Sequence, residues 1–323
     1  MSLSYRNLPA RLFYRFILWP AETLLLAVVV GFIALLNIRG ASFIFGSLFA
    51  LIGPLTPWHR RAEQQLQWAI PVLNADERTK ILKGMWQNLG RNLGEYPKLE
   101  AMLKGGYIQF DGLEHLQGND GENAPIDGPI DGQENGPENG QEKEGGFIIG
   151  AHLGNWEALA MIGPHLGLKT GLIFRPLNNP YISFLLNRRA STAEADIYQK
   201  GREAAMGMIS TVRKGGYMMI LADQQLREGE EVAFFGHPAK TAIAHFKIAA
   251  KSGVPIYYAQ TIRHDGCQIQ VKLSAPVQLA KTASDTEILA AAVEMNKNFE
   301  AWIRTNPEQW LWPHRRWGKA LRK

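Results

Sequence analysis

From residue 147 onward the sequence alternates short apolar runs with longer stretches of helical periodicity, and no other feature constrains the fold as much. Each run has strand length and is continuously hydrophobic, which is typical of parallel strands buried on both faces. The alternation predicts an α/β fold with a mixed, largely parallel sheet and helices on both faces. Strands are predicted at 147–150, 170–174, 217–222, 254–262 and 268–273, with an extended piece at Tyr198, and helices at 156–166, 180–190, 204–213, 241–251 and 284–306.

The segment before this region is predicted to be mostly helical. Apolar residues at mixed three- and four-residue spacing indicate helices at 62–73 and 75–93, and 107–110 has the pattern of a short strand. Asn74 is a plausible N-cap of the second helix, with Glu77 three residues later as its capping-box partner.

Two apolar runs near the N-terminus indicate a membrane anchor, which we assign to residues 1–60. The runs are Leu24–Leu36 and Ala41–Leu55, and a spanning helix needs about 20 apolar residues. Three interpretations stay open: one tilted span, a helical pair lying in one leaflet, or two buried helices of a soluble protein. A cleaved signal peptide fits poorly, because more hydrophobic sequence follows the first run.

Basic residues on both sides of the runs favour an anchor that stays on one face of the membrane. Tryptophans at 19, 58 and 68 could form an interfacial aromatic belt. The basic flanks consist of Arg6, Arg11 and Arg15 before the first run, and of His59, Arg60 and Arg61 after the second.

Residues 118–146 form an acidic, low-complexity stretch that interrupts the domain predicted at 61–323. With eight acidic residues and one lysine its net charge is −7, which leaves +12 on the rest of the chain. A body this basic favours an anionic partner such as a phospholipid surface. We expect the stretch to be a disordered surface loop, and deletion of 120–144 to leave activity largely intact.

The candidate catalytic pair is His152 and Glu157, in the stretch Ile148–Glu157. His152 follows a predicted strand at the carboxyl edge of the sheet, where sites form in open α/β folds. Its imidazole can take a proton near neutral pH. Glu157 begins the next predicted helix, and its carboxylate could orient the imidazole through one ring nitrogen. The spacing alone is a weak signal, and the strand–turn–helix context strengthens it.

Other polar residues lie where they could contribute to the same site. Arg175 and Asp223 also follow predicted strands, which puts them on the rim that carries His152. Cys267 is the only cysteine, so an intrachain disulfide is impossible, and we expect no metal and no cofactor. The 234–238 segment could line an apolar channel or pack as a loop, and His165 and His245 are interpreted as packing or surface residues.

The C-terminal block combines Trp302, Trp310, Trp312 and Trp317 with Arg315 and Arg316. This mixture suits contact with a membrane surface, although aromatic packing beneath a basic surface fits it equally well. The hydrophobic N-terminus and the lack of a nucleic-acid motif argue against a nucleic-acid partner.

Several blocks together resemble the late acyltransferases of lipid A biosynthesis, the lauroyl/myristoyl acyltransferase family. The resemblance covers nearly the whole chain outside 118–146. Its blocks are the apolar N-terminus, the segment around His152, Phe174–Pro176, Asn179-Pro180, Leu185–Arg189, Ile220–Gln224, Phe234–Gly236 and Trp310–Trp317.

The resemblance implies transfer of a fatty acyl group from an acyl carrier protein thioester to a hydroxyl of a lipid A precursor. It implies His152 as general base, Glu157 as the residue that orients it, and no acyl-enzyme. Arg189 and Asp223 match further polar positions of the family, with Arg188 able to take the role of Arg189. We expect Arg175, Arg189, Asp223 and Asn155 to bind substrate.

The same family implies an inner-membrane location with the catalytic domain on the cytoplasmic side. Two other functions stay open at this point. One is acyl transfer to a glycerolipid or another glycolipid with acyl-CoA as donor, since the His-x4-Asp/Glu signature is shared with glycerolipid acyltransferases. The other is a thioesterase-type hydrolase that uses His152 to activate water.

Overall fold

The computed structural model describes residues 8–116, 145–174, 179–183, 195–199 and 201–318. Arg175 and Arg189 lie outside these residues, as does the acidic stretch except Gly145 and Gly146. Gly146 already belongs to a strand, so the strand predicted at 147–150 begins one residue earlier than expected.

The N-terminal part is helical from the first described residue. Its α-helices are α1 Leu8–Phe13, α2 Trp19–Leu35, α3 Ile38–Ile52, α4 Pro57–Ala69, α5 Ala75–Glu95 and α6 Leu99–Lys104, with π- or 3-10 turns at Tyr14–Leu18, Gly53–Leu55, Tyr96–Lys98 and Leu113–Leu116. Asn74 and Glu77 form the expected capping box, because the Asn74 side chain accepts from Glu77 N–H while the Glu77 carboxylate accepts from Asn74 N–H.

Two helical stretches have the length and apolar composition of membrane spans, Tyr14–Leu35 and Ile38–Leu55. Trp58 is exposed, but Trp19 is buried and Trp68 is partly buried against the core. The expected aromatic belt is therefore limited to Trp58. Trp68 instead stacks on His237, with ring centroids 4.3 Å apart.

Seven strands form one sheet: β1 Ile108–Asp111, β2 Gly146–Gly150, β3 Thr170–Phe174, β4 Ala195–Gln199, β5 Tyr217–Leu221, β8 Ile256–Arg263 and β9 Ile269–Leu273. Their order across the sheet is β1-β9-β8-β2-β5-β3-β4. All neighbouring pairs are parallel except β8 and β9. The predicted mixed, largely parallel sheet is confirmed.

A two-stranded hairpin, which the sequence analysis missed, lies outside this sheet. It consists of β6 Glu230–Phe234 and β7 His237–Thr241. Phe235 and Gly236 form the turn with positive φ angles of 51° and 75°, as a two-residue hairpin requires. The predicted helix at 241–251 starts only at Ala244, because Thr241 still pairs with Glu230.

Helices cover both faces of the sheet, as predicted. Phe147 and Ile149 of β2 join one core, whereas Ile148 between them joins the other, as the alternation of side chains along a strand demands. The remaining helices are α7 Ile162–Leu166, α8 Arg202–Arg213, α9 Ala244–Ser252 and α10 Asp285–Thr305, with 3-10 turns at Trp156–Met161 and Pro307–Gln309. Residues 180–183 are also helical.

Candidate active site

His152 and Asp223 meet at the carboxyl edge of the sheet because each follows one of two neighbouring strands. Gly150 ends β2 and Leu221 ends β5, and these residues are partners in the parallel ladder. His152 and Asp223 each lie two residues beyond one of these strand ends, and the His152 Nδ1 is 2.7 Å from Asp223 Oδ1. The common edge was expected from the sequence, but the direct pairing was not.

The protonation of this pair follows from the environment of Asp223, which is only 2% exposed. Burial alone would raise the pKa of Asp223, but the charge and hydrogen bonds of His152 and the indole of Trp310 outweigh it and lower the pKa to about 2. An ionised carboxylate can only accept hydrogen bonds. The His152 Nδ1 therefore carries a proton, and this N–H donates a hydrogen bond to Asp223 Oδ1. In the neutral ring, Nε2 then holds the lone pair that a general base needs.

Gln224 lies at the other ring nitrogen. Its side-chain Nε2 is 3.1 Å from His152 Nε2, so in this tautomer the amide donates to the basic lone pair. A substrate hydroxyl must displace the amide to reach the imidazole. Gln224 was part of the family-like block 220–224, but the sequence analysis gave it no role.

The described contacts of Glu157 differ from the expectation that it orients the imidazole. Its Oε1 accepts from Trp156 Nε1 at 2.9 Å, while Asp223 takes Nδ1 of His152. The Trp156 ring packs 5.2 Å from the His152 ring, centroid to centroid. Glu157 therefore supports an aromatic wall beside the imidazole, and the 3-10 turn at Trp156–Met161 replaces the first turns of the expected α-helix.

Asn155 was expected to bind substrate, but its side chain has no exposed surface. It supports the loop instead. Its Nδ2 donates to Glu95 Oε2 at 2.8 Å. The adjacent Gly154 has a φ of 57° and its carbonyl accepts from Asn88 and Asn92 of α5 at 2.9 and 2.7 Å. A Cβ there would come within 2.6 Å of Thr261 O, so this close approach needs glycine.

The C-terminal segment holds the same loop from the other side. Leu311 N–H donates to His152 O, and Gly154 N–H donates to Gln309 O, both at 3.1 Å. Leu153 and Trp310 are thereby paired as an antiparallel bridge. The indole Nε1–H of Trp310 also donates to Asp223 Oδ2 at 2.7 Å.

The C-terminal aromatic residues form part of the core rather than a membrane-facing surface. Trp310, Trp312 and Trp317 are at most 3% exposed. Arg316 has no exposed surface either, and burial lowers its pKa to about 10 although the nearby Asp223 charge opposes this. Its guanidinium donates to Lys240 O and Thr241 Oγ1, both at 2.8 Å. Of the two interpretations of this block, packing is confirmed.

The expected site residues thus divide into three groups. The first group is His152 and Asp223, which are in direct contact, together with Glu157, which reaches them through Trp156. The second is Asn155, which lies behind them. The third is Arg175 and Arg189, which are outside the described residues. Sequence reasoning missed Gln224 and Trp310 as site residues, although both fell in family-like blocks. Among the residues described, no three His, Cys, Asp or Glu side chains are grouped as metal ligands.

Comparisons with a family model, with protein sequences and with solved structures relate the chain to known proteins. Residues 15–319 match the model of the bacterial lipid A biosynthesis acyltransferases. A lipid A biosynthesis palmitoleoyltransferase of Escherichia coli (strain K12) and a lipid A biosynthesis acyltransferase of Shigella flexneri are each 23% identical over 267 residues, covering 79% of this chain and 77% of the relative. The crystal structure of a 1-acyl-sn-glycerophosphate acyltransferase from Thermotoga maritima aligns with a TM-score of 0.36 at 11% identity, over 82% of this chain and 98% of that one.

Proposed function

The chain belongs to the bacterial lipid A biosynthesis acyltransferases and is an O-acyltransferase, and from this premise we propose that it transfers a fatty acyl chain from acyl carrier protein to a hydroxyl of a lipid A precursor. The observation that carries the proposal is the Asp223–His152 pair, in which the imidazole Nδ1 lies 2.7 Å from a carboxylate oxygen of the buried Asp223.

The proposed reaction needs one base and no covalent intermediate. His152 Nε2 removes the proton of the acceptor hydroxyl as its oxygen attacks the thioester carbonyl carbon. The new C–O bond forms, the C–S bond breaks, and the leaving thiolate takes the proton back from the imidazolium. Asp223 stabilises the imidazolium between these steps. The position of Cys267 is consistent with direct attack. This thiol is 4% exposed in the turn between β8 and β9, so it is not placed to act as a covalent nucleophile.

Glu157 keeps a catalytic role in this proposal, although an indirect one. By fixing the Trp156 indole it holds the ring that packs against His152. Arg175 and Arg189 stay proposed as contacts to anionic groups of donor or acceptor, on the resemblance alone.

Two measurements test this function. Mass spectrometry of lipid A from cells with and without the protein should show one acyl chain missing in its absence. Purified protein should move the acyl chain from acyl carrier protein to the lipid, and His152→Ala should abolish transfer while remaining folded and membrane-bound. Preference for acyl-CoA and a glycerolipid, or release of free fatty acid without a lipid product, would contradict the proposal.

We further propose that residues 1–60 anchor the protein in one leaflet of the inner membrane, on the cytoplasmic side, without crossing it. Helix α3 packs along α5 by close backbone contact: a Cβ on Gly94 would lie 2.5 Å from Ala41 O, and one on Gly90 would collide with Phe45 O. Since α5 also holds the His152 loop through Asn88 and Asn92, α3 is bound to the catalytic domain along its length.

Helix α2 is held near both of its ends, at one end by Asn179 of the catalytic domain and at the other by α3. Asn179 donates to Trp19 O at 2.9 Å and to Glu22 Oε2 at 3.1 Å, and Ile33 is fully buried against Ala41 and Phe45 of α3. A helix that crosses a hydrocarbon core of about 30 Å would carry one end away from the domain. The other faces of α2, of α3 and of the 3-10 turn that follows α3 carry exposed apolar side chains, which contact lipid in this proposal. Among them are Leu24, Leu25, Val28, Phe32, Leu35, Phe43, Leu48, Leu51 and Leu55.

Cysteine labelling in membrane vesicles distinguishes the two topologies without an activity assay. In a Cys267→Ala background, single cysteines replace Arg15, Arg39 and Arg60, with Lys297→Cys as the catalytic-domain reference. A membrane-impermeant maleimide should label all four from the same side. Labelling of Arg15→Cys and Arg39→Cys from opposite sides would mean that α2 spans the bilayer.

A further inference from the structure

Trp310 lies beside the His152–Asp223 pair without being able to reach substrate. It has no exposed surface, and its indole Nε1–H donates to Asp223 Oδ2 at 2.7 Å, on the oxygen that His152 Nδ1 does not use. The carboxylate therefore has a different side-chain donor on each oxygen, and the two bonds together define the plane of the carboxylate.

The backbone around Trp310 is attached to the loop that carries His152. The hydrogen bonds from Leu311 N–H to His152 O and from Gly154 N–H to Gln309 O fix residue 310 opposite residue 153. Because these bonds use only main-chain atoms, they remain when the indole is replaced. The contribution of the single N–H can thus be separated from that of the segment.

We propose that Trp310 is a positioning residue of the acyl-transfer reaction, which orients Asp223 against His152 and moderates the basicity of its carboxylate. The inference rests on the proposed function only in assigning His152 as the base. Without the indole, Asp223 keeps its bonds to the imidazole and to the backbone of His152, but Oδ2 loses its side-chain donor.

The loss of this donor should shift the pH dependence of the reaction in one direction. A carboxylate with one hydrogen bond fewer is less stabilised as an anion and holds the protonated imidazole more strongly. The base form of His152 then appears only at higher pH, so the acidic limb of the pH–rate profile moves upward. A residue that served packing alone would reduce the amount of folded enzyme without moving this limb.

The test compares Trp310→Phe with Trp317→Phe. Trp317 is 3% exposed, and its indole N–H also has one acceptor, the carbonyl of Phe234 at 3.1 Å, with no bond to Asp223. For Trp310→Phe we expect a fall in kcat of about tenfold or more, KM values for donor and acceptor within about twofold of wild type, and a rise of the acidic midpoint by about half a pH unit. For Trp317→Phe we expect an unchanged midpoint.

A second readout does not require acyl transfer. The rate at which diethyl pyrocarbonate modifies His152, followed by peptide mass spectrometry across pH, should show the same upward displacement in Trp310→Phe. If the wild type transfers no acyl chain but this displacement is present, the proposed function fails and the positioning role stands. If both variants keep the wild-type midpoint in both readouts, the positioning role is refuted.

Should Trp310→Phe fail to fold, benzothienylalanine at position 310 replaces the indole N–H by sulfur at nearly the same shape. A folded protein of this kind with the wild-type pH profile and kcat would equally refute the positioning role, and one with the displaced profile would support it.

Discussion

Arg263 and Glu95 form an ion pair closed off from solvent, with guanidinium nitrogens 2.5 and 2.8 Å from the two carboxylate oxygens. Glu95 has no exposed surface and Arg263 is 8% exposed. The same carboxylate accepts from Ser42 Oγ at 2.6 Å and from Asn155 Nδ2 at 2.8 Å. One buried anion therefore connects an apolar N-terminal helix, the end of β8 and the loop of His152.

Replacing Glu95 by Gln should destabilise the fold by about 3 kcal/mol or more, because it leaves the Arg263 charge buried without a counter-ion. Adding Arg263→Met should recover much of that loss, since the unpaired charge is then gone. Equilibrium unfolding by urea in detergent measures both. Glu100→Gln, which breaks an exposed pair with Lys104, is the control and should change stability by less than about 0.5 kcal/mol. A Glu95→Gln protein as stable as this control would contradict the prediction.

Asp223→Asn should lower kcat by about 100-fold or more while the protein stays folded. The amide occupies the same volume but carries no charge to stabilise the imidazolium, and its NH2 group can face Nδ1 and favour the wrong tautomer. Steady-state acyl transfer with purified enzyme measures the effect, and circular dichroism checks the fold. A loss below about threefold would mean that Asp223 does not act on the base.

The sequence was sufficient to predict the sheet edge on which the site lies. The strands that precede His152 and Asp223 are both short apolar runs, and the carboxyl ends of parallel strands share an edge. The pairing itself depends on β2 and β5 being neighbours in the sheet although β3 and β4 lie between them in the chain. Local patterns do not contain that order, so the direct pairing of Asp223 with His152 could not be predicted from them.

The contacts that hold the His152 loop could not be predicted from the sequence, for a related reason. Glu95 and Asn155 are 60 residues apart, and each has the local pattern of an ordinary polar residue. Only the packing of α5 beneath the loop brings them together. The β6–β7 hairpin was missed although its pairing is local: both strands are rich in polar and charged residues, Pro238 lies in the second, and the turn residues Phe235-Gly236 are not a typical hairpin signal such as Asn-Gly.

Gly90→Ala should loosen the contact between α3 and α5. The added Cβ would collide with Phe45 O and lie 2.7 Å from Phe49 Cβ, so α3 must move and about 1–3 kcal/mol should be lost. Thermal unfolding in detergent measures the loss. Gly31→Ala is the matched control in an apolar helix, because nothing lies within 4 Å of its added Cβ. Equal unfolding temperatures for the two variants would show that α3 does not depend on this contact.

His245 should make the fold sensitive to mild acid. The ring is 2% exposed, its Nε2 has no hydrogen-bond partner among the described residues, and burial lowers its pKa from 6.5 to about 3. Below pH 6.5 the unfolded chain binds a proton that the folded chain does not, so stability falls as the pH drops from 6.5 towards 3. At pH 5 this amounts to about 2 kcal/mol. At pH 5 Asp223 adds almost nothing to this loss, because its own contribution is lost only between its unfolded pKa of 3.8 and about 2.

His245→Leu should remove that part of the acid sensitivity, since leucine fills a similar apolar space next to Phe246 and cannot take up a proton in the unfolded chain. Urea unfolding at pH 7.5 and pH 5.0 gives the difference in stability for each protein, and it should be smaller in the variant by about 2 kcal/mol. His264→Leu, at an exposed position, should keep the wild-type difference. If His245→Leu keeps it as well, the imidazole is protonated inside the folded protein, and a polar group or water must then reach Nε2.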